Sequence, residues 1–137
     1  IKKDGTIIIE VQYLMNIFKD VTFDNIYHEH YNYWSLTSLI NFFNNLSGKI
    51  YRAQKINSHG GSIRIYVKKN NKVKIEKSVK ELLKEEEKFG IKKYQTYKDF
   101  AKKVLRGDLY KRYKTDKEHL KIVHGDQQQK TKENMKH

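Results

Sequence analysis

The stretch Ser62-Ile63-Arg64-Ile65-Tyr66-Val67-Lys68-Lys69 is the clearest β-strand pattern in the chain. Apolar and polar residues alternate along it, and successive side chains of a strand point to opposite faces of a sheet. The pattern therefore predicts a strand whose buried face carries Ile63, Ile65 and Val67, and whose other face carries Arg64 and Tyr66.

Strand and helix patterns lie on both sides of this strand. The β-branched run at residues 6–11 predicts a buried strand, and residues 50–56 predict another. Helices are predicted from apolar spacing at residues 11–20, 35–47, 76–89 and 94–113. Ser35 is suited to cap the second of these helices. The expected inward-facing residues are Leu36, Leu39, Ile40, Phe43 and Leu46 in the second helix and Tyr97, Phe100, Ala101, Val104 and Leu105 in the last. This mixture predicts an α/β or α+β domain.

The composition argues against several classes of protein. The chain has no cysteine, which excludes a disulfide framework and a thiolate metal site. No apolar run approaches the roughly 20 residues of a membrane-spanning helix, and no signal-peptide pattern opens the chain, so we expect a cytoplasmic protein without a membrane partner. The net charge of +13 invites nucleic-acid binding, but only four of the 29 basic residues are arginine, the residue best suited to reading bases. We therefore interpret the scattered lysines as a solvated surface and do not expect nucleic acid as a partner.

Titratable side chains are densest in the stretch Tyr27-His28-Glu29-His30. Imidazole can accept or donate a proton near neutral pH, and a neighbouring carboxylate can hold it in one tautomer. In a helical turn Tyr27 and His30 share a face, whereas in an extended segment His28 and His30 share one. Alternatively, His28 and His30 could bind a metal ion together with Glu29 or His59. In a third interpretation, these are polar residues at a strand edge that form hydrogen bonds with backbone groups. The sequence pattern alone leaves these alternatives open.

A second candidate, His59-Gly60-Gly61-Ser62, leads into the alternating strand. Two glycines permit positive φ angles and let a ligand approach the backbone. Phosphate or sugar oxygens could be bound here by the two glycine amides, the Ser62 hydroxyl and the Arg64 guanidinium. The pattern is equally compatible with an ordinary turn that leads into a strand. No Gly-x-Gly-x-x-Gly loop and no nucleophile elbow occur in the chain.

Taken in order, these stretches resemble the sugar C-methyltransferases that act on nucleotide-linked ketosugars. The resemblance is carried by Phe23-Asp24-Asn25-Ile26-Tyr27-His28-Glu29-His30 and by His59-Gly60-Gly61-Ser62-Ile63-Arg64-Ile65-Tyr66, with Lys3-Asp4-Gly5-Thr6 before them. It covers residues 3–69 well and is weak over residues 76–113. Proteins of this family look like three-part enzymes, with a cysteine-rich zinc-binding segment, a Rossmann-like S-adenosylmethionine domain and a C-terminal α/β domain.

The resemblance implies a fold class and a domain organisation. We expect an α/β fold, with the tail end of a Rossmann-like methyltransferase domain at residues 1–47 and part of a C-terminal α/β domain at residues 48–123. A polar, disordered tail is expected at residues 124–137. The cofactor-binding loop is expected upstream of residue 1. S-adenosylmethionine is therefore the expected cofactor of the intact enzyme, and no cofactor binding is expected for this chain alone.

The resemblance also implies site residues. His30 resembles the general base that removes a proton next to the keto group. Tyr27 would hydrogen-bond the developing charge or the sugar, and Glu29 would orient His30. The expected substrate-binding residues are His59, Gly60, Gly61, Ser62 and Arg64. A nucleotide-linked sugar is the expected partner. The alternative outside this family is a small basic module, without catalysis, that binds RNA or another polyanion and stacks bases on its tyrosines.

Overall fold

A computed structural model of the chain describes residues 5–26, 30–57, 61–69 and 72–106. Its elements are strand β1 (Thr6–Gln12), helix α1 (Leu14–Asp20), a 3-10 turn (Phe23–Asn25), helix α2 (Leu36–Asn45), strands β2 (Lys49–Ile56) and β3 (Ser62–Lys68), and helices α3 (Lys77–Phe89) and α4 (Tyr94–Leu105). The chain divides after Lys98 into two compact units. The mixture of strands and helices confirms the predicted α/β class.

The three strands form one antiparallel sheet in the order β1-β3-β2. Because β3 runs antiparallel to both neighbours, β1 and β2 point in the same direction. Ser62 at the start of β3 lies opposite Gln12 on one side and Ile56 on the other, which are the last residues of β1 and β2. The expected boundary after residue 47 falls between α2 and β2, so both expected parts contribute strands to this sheet.

The central strand β3 has one buried face and one open face, as its sequence predicts. Ile63, Ile65 and Val67 are buried, whereas Arg64 and Tyr66 are half-buried on the opposite face. Full burial of an apolar side chain of this size contributes about 1.5–3 kcal/mol. A register shift of one residue would turn all three apolar side chains to the open face, so the alternation itself fixes the pairing of this strand.

Helices α2 and α3 pack against β2 and supply much of the remaining core. Their buried apolar residues are Leu36, Leu39 and Phe43 in α2, and Val79 and Leu82 in α3. Ser35 caps α2 as predicted, because its hydroxyl accepts a hydrogen bond from the Ser38 amide at 3.1 Å. The Ser38 hydroxyl accepts one from the Ser35 amide at 2.9 Å, which completes a reciprocal capping box.

The prediction that residues 6–11 form a buried strand is wrong in its burial. Thr6, Ile8 and Glu10 are exposed, and Ile8 keeps 59% of its surface accessible. β1 lies at the edge of the described sheet, and its side chains alternate between the two faces. A β-branched run indicates a strand, but it does not show whether both faces are covered.

Two expected helical stripes are also only partly buried. Leu46 is 60% exposed, because it lies just past the last residue of α2 and is no longer on its core-facing side. No residue of α4 is buried, which contradicts the expected inward stripe of that helix. Tyr97 contacts the Phe18 ring edge-on and yet remains largely accessible. Helical spacing shows that a stripe exists, but it does not identify an element that covers it.

Candidate functional site

Gln12 and Ile56, the last residues of β1 and β2, lie beside Ser62, the first residue of β3. We call the end of the sheet that these three residues define the carboxyl edge. One of the two stretches that the sequence singles out adjoins it. The stretch at residues 59–62 connects Ile56 to Ser62, and its described end, Gly61, lies directly at this edge. The other stretch follows β1 after α1 and the 3-10 turn.

The segment that carries His30 reaches the carboxyl edge through Trp34. Trp34 forms a backbone bridge with Tyr13, the first residue after β1, and its carbonyl accepts a hydrogen bond from the Leu14 amide at 2.9 Å. The Tyr13 amide in turn donates to the Gly61 carbonyl at 3.2 Å. Backbone bonds at the end of β1 therefore connect Trp34, four residues after His30, with Gly61 of the second candidate stretch.

His30 is half-buried, and its Nδ1 lies 2.8 Å from the backbone carbonyl oxygen of Asn25. A carbonyl oxygen can only accept a hydrogen bond, so Nδ1 carries the proton in the neutral ring. The lone pair then resides on Nε2, the nitrogen from which a neutral imidazole accepts a proton. Tyr33 contacts the His30 ring edge-on, and its hydroxyl donates to the same carbonyl at 3.4 Å. The local geometry thus selects the tautomer that a general base at Nε2 requires.

Gly61 and Ser62 are both buried where β3 begins. Gly61 has a φ of +100°, a conformation that residues with a side chain rarely adopt. A Cβ atom at this position would lie 1.8 Å from Nδ2 of Asn16, so α1 fills the space that a side chain would need. Close packing accounts for this glycine, and the expected part of Gly61 and Ser62 in substrate binding stays a prediction.

Arg64 lies on the open face of the sheet and forms an ion pair with Glu10 of β1 at 2.8 Å. The hydrogen bond to Glu10 raises the pKa of its guanidinium above the ordinary value. Because a carboxylate already neutralises this charge, a substrate oxygen would have to share the guanidinium with Glu10.

The other sequence candidates, Tyr27, His28, Glu29, His59 and Gly60, lie outside the described residues. Within residues 5–26, 30–57, 61–69 and 72–106, no group of three or more His, Asp or Glu side chains is arranged to hold a metal ion. In the same part of the chain, no helix is both long enough and apolar enough to cross a membrane.

A carboxylate that the sequence analysis did not single out lies beside the carboxyl edge. Glu86 of α3 is fully buried, and its Oε1 accepts hydrogen bonds from the Tyr13 hydroxyl at 2.9 Å and the Leu36 amide at 2.5 Å. Its Oε2 accepts bonds from the Thr37 amide at 2.9 Å and the Thr37 hydroxyl at 2.6 Å. Four donors from two separate parts of the chain therefore converge on one buried carboxylate.

The sequence did contain a signal for this residue. Glu86 follows Val79 and Leu82 at intervals of three and four residues, which places it on the core-facing stripe of α3. A charged residue on such a stripe needs partners, because burying an unpaired charge is very costly. Burial and the neighbouring Glu86 carboxylate raise the pKa of Tyr13, so the phenol stays protonated and donates.

Comparison with known proteins identifies similar sequences. A family model described as the C-methyltransferase C-terminal domain matches residues 57–128, which include Gly61, Ser62 and Arg64. The chain is also 35% identical over 99 residues to the C-methyltransferase NovU of Streptomyces niveus. That alignment covers 72% of this chain and 24% of NovU, so the chain spans about a quarter of the length of this relative.

Proposed function

Since this chain belongs to the C-methyltransferase family and matches its C-terminal domain, we propose that it is part of an enzyme that methylates a carbon of a nucleotide-linked ketosugar. In that enzyme residues 1–47 would end the methyltransferase domain, residues 48–123 would belong to the C-terminal domain, and residues 124–137 would form a polar tail. The wider resemblance of residues 3–69 to sugar C-methyltransferases supports the choice of substrate.

The chemistry requires a base. A keto group acidifies the C–H bond on the neighbouring carbon, and removal of that proton leaves an enolate. His30 would take the proton on Nε2, and the enolate carbon would then accept the methyl group. S-adenosylmethionine, when bound, supplies that methyl group on a positively charged sulfur. Tyr27 would stabilise the developing negative charge, and Glu29 would help to orient His30.

The observation that carries this proposal is the 2.8 Å contact between His30 Nδ1 and the Asn25 carbonyl. It fixes the tautomer with the lone pair on Nε2, in a side chain that is only half-buried. His59, Gly60, Gly61, Ser62 and Arg64 would form the substrate side of the pocket. The position of Gly61 at the carboxyl edge supports this part of the proposal.

The residues of this chain do not fit the binding loop of the methyl donor. None of its seven glycines forms a Gly-x-Gly-x-x-Gly loop after a strand, which would bring backbone amides close to the cofactor. We therefore assign no cofactor-binding residue here. The role of this chain is to supply the base and part of the substrate site.

The direct test is His30→Asn in an intact enzyme that carries this chain. Asparagine is polar but cannot accept a proton near neutral pH, so methyl transfer should fall by about 10²–10⁴-fold, the usual contribution of a positioned base. Exchange of the acidic sugar proton with deuterated solvent, measured without the methyl donor, should fall equally. His119→Asn, outside both candidate stretches, is the matched control and should retain both activities.

Two further variants rank the neighbouring residues. Glu29→Gln should cost less than His30→Asn, because it disturbs the orientation of the base without removing it. Tyr27→Phe should fall between them if its hydroxyl stabilises the enolate. If His30→Asn exchanges the sugar proton at the parent rate, His30 is not the base, and His28 or His59 becomes the next candidate.

A further inference from the structure

We infer that Glu86 is a positioning residue for the proposed base: its buried carboxylate fixes both the residue that follows β1 and the first turn of α2, and so holds the segment from His30 to Ser35 against the carboxyl edge. The inference rests on the proposed function of His30. Glu86 itself would touch neither substrate nor cofactor, and it would act only through the backbone that it anchors.

The hydrogen bonds of the Glu86 carboxylate are complete. A carboxylate offers about four lone-pair directions, and the four bonds from Tyr13, Leu36 and Thr37 occupy them. Two of the donors are backbone amides in the first turn of α2, which have no partner within a helix. A carboxylate at this position also interacts favourably with the helix dipole. Glu86 belongs to α3, so a separate helix fixes where α2 begins.

Trp34 connects the residues that Glu86 holds to the segment that carries His30. Leu36 follows Trp34 and Ser35 directly, and Trp34 is bonded to the backbone at Tyr13 and Leu14. Glu86 thus holds both chain segments that meet at the bridge between Trp34 and Tyr13. It accepts hydrogen bonds from the Leu36 amide in one segment and from the Tyr13 hydroxyl in the other. Tyr33, one residue before Trp34, contacts the His30 ring and shares its carbonyl acceptor. A shift of Trp34 would therefore move Tyr33 and change the surroundings of His30.

Stability alone does not require a carboxylate at position 86. An apolar residue on the stripe of α3 would fill this space without the cost of removing a charge from water. The α2 helix already has a cap of its own, because Ser35 accepts a bond from the Ser38 amide. A buried polar group of this kind is better suited to specifying one arrangement of the chain than to adding stability. Here that arrangement is the approach of the His30 segment to β1.

The test uses the 137-residue chain with nitrogen-15-labelled histidine. The chemical shifts of the two ring nitrogens report which one carries the proton, and the His30→Asn variant identifies the signals of His30. The parent chain should show His30 protonated on Nδ1. Glu86→Gln should shift the population toward the Nε2-protonated form that free histidine prefers in water. Glu87→Gln, one residue along α3 and exposed, is the matched control and should leave the signals unchanged.

Milder variants cover the case in which Glu86→Gln does not fold, as judged by its circular dichroism spectrum. Tyr13→Phe and Thr37→Val each remove one hydroxyl donor and leave the carboxylate in place. Each should produce a smaller shift of the His30 tautomer in the same direction. An unchanged tautomer in folded Glu86→Gln overturns the inference. If Glu86→Gln is unfolded, unchanged tautomers in both milder variants overturn it.

The intact enzyme separates this inference from the proposed function. A displacement of a catalytic group by about 1 Å can cost 10²-fold in rate, so Glu86→Gln should lower kcat and solvent exchange by up to about 10²-fold while KM changes less. Glu86→Asp keeps the charge and should recover part of the loss. If His30→Asn abolishes exchange but folded Glu86→Gln does not lower it, only the inference fails. If His30→Asn has no effect, the proposed role of His30 as the base fails, whatever the tautomer measurements show.

Discussion

Gly61 shows how one residue serves both the packing and the candidate site. Its positive φ lets the chain turn into β3, and the missing side chain leaves room for Asn16. Its carbonyl accepts the hydrogen bond from the Tyr13 amide, which joins the entry of β3 to the end of β1. A change at this position would therefore disturb the carboxyl edge without touching any titratable group.

We expect Gly61→Ala to destabilise the chain by about 1–3 kcal/mol, the usual range for a residue forced into a sparsely populated backbone region. The added methyl group would also collide with Asn16, so its side chain must move. Urea unfolding of the parent and the variant measures the loss. The double variant Asn16→Ala with Gly61→Ala removes the collision and should recover only part of it. Equal stability of Gly61→Ala and the parent would show that this packing contributes nothing.

Helix α2 shows how far local sequence signals reach. Ser35 and the apolar spacing after it predicted the start of the helix and three buried residues, Leu36, Leu39 and Phe43. These features depend on neighbours within one or two turns, so the sequence carries them. Glu86 contacts Leu36 from 50 residues away, and no periodicity in either helix names the other as its partner. The family resemblance suggested His30 as a base, but its tautomer depends on where the 3-10 turn places the Asn25 carbonyl.

We expect Ser35→Ala to lower the free energy of unfolding by about 1 kcal/mol, since it removes the hydroxyl that accepts the Ser38 amide. The hydrogen bond that the Leu36 amide donates to Glu86 remains in this variant, so the helix should still begin at the same residue. Thermal unfolding followed by circular dichroism measures the change. Asn41→Ala, at an exposed position in the middle of α2, is the control and should be neutral or slightly stabilising. A loss at Asn41 as large as that at Ser35 would argue against a specific capping effect.

For the molecule as a whole, the sequence predicted the mixture of elements and the faces of β3, but not the contacts that assemble them. The Tyr13 hydroxyl donates a hydrogen bond to Glu86, which is 73 residues away in sequence. This bond joins the residue that follows β1 to α3. The structure also shows how part of the positive charge of the chain is used. Two of the four arginines form ion pairs: Arg52 of β2 with Glu76 at the start of α3, and Arg64 of β3 with Glu10 of β1. The planar groups best suited to reading bases are thus partly engaged within the protein.

We therefore expect any binding of RNA by the chain to be weak and indifferent to sequence, through lysines that contact phosphates. Fluorescence polarisation with two single-stranded RNAs of equal length and different sequence is the measurement, repeated over a series of salt concentrations. Both should bind with dissociation constants in the nonspecific range of about 10⁻⁴–10⁻⁶ M, and the affinity should fall steeply as salt rises, because binding releases counterions. Arg52→Lys keeps the charge and should change neither affinity. Specific sites are bound about 10³–10⁷ times more tightly than nonspecific ones, so a preference of that order for one RNA at physiological salt would favour the binding module over the methyltransferase.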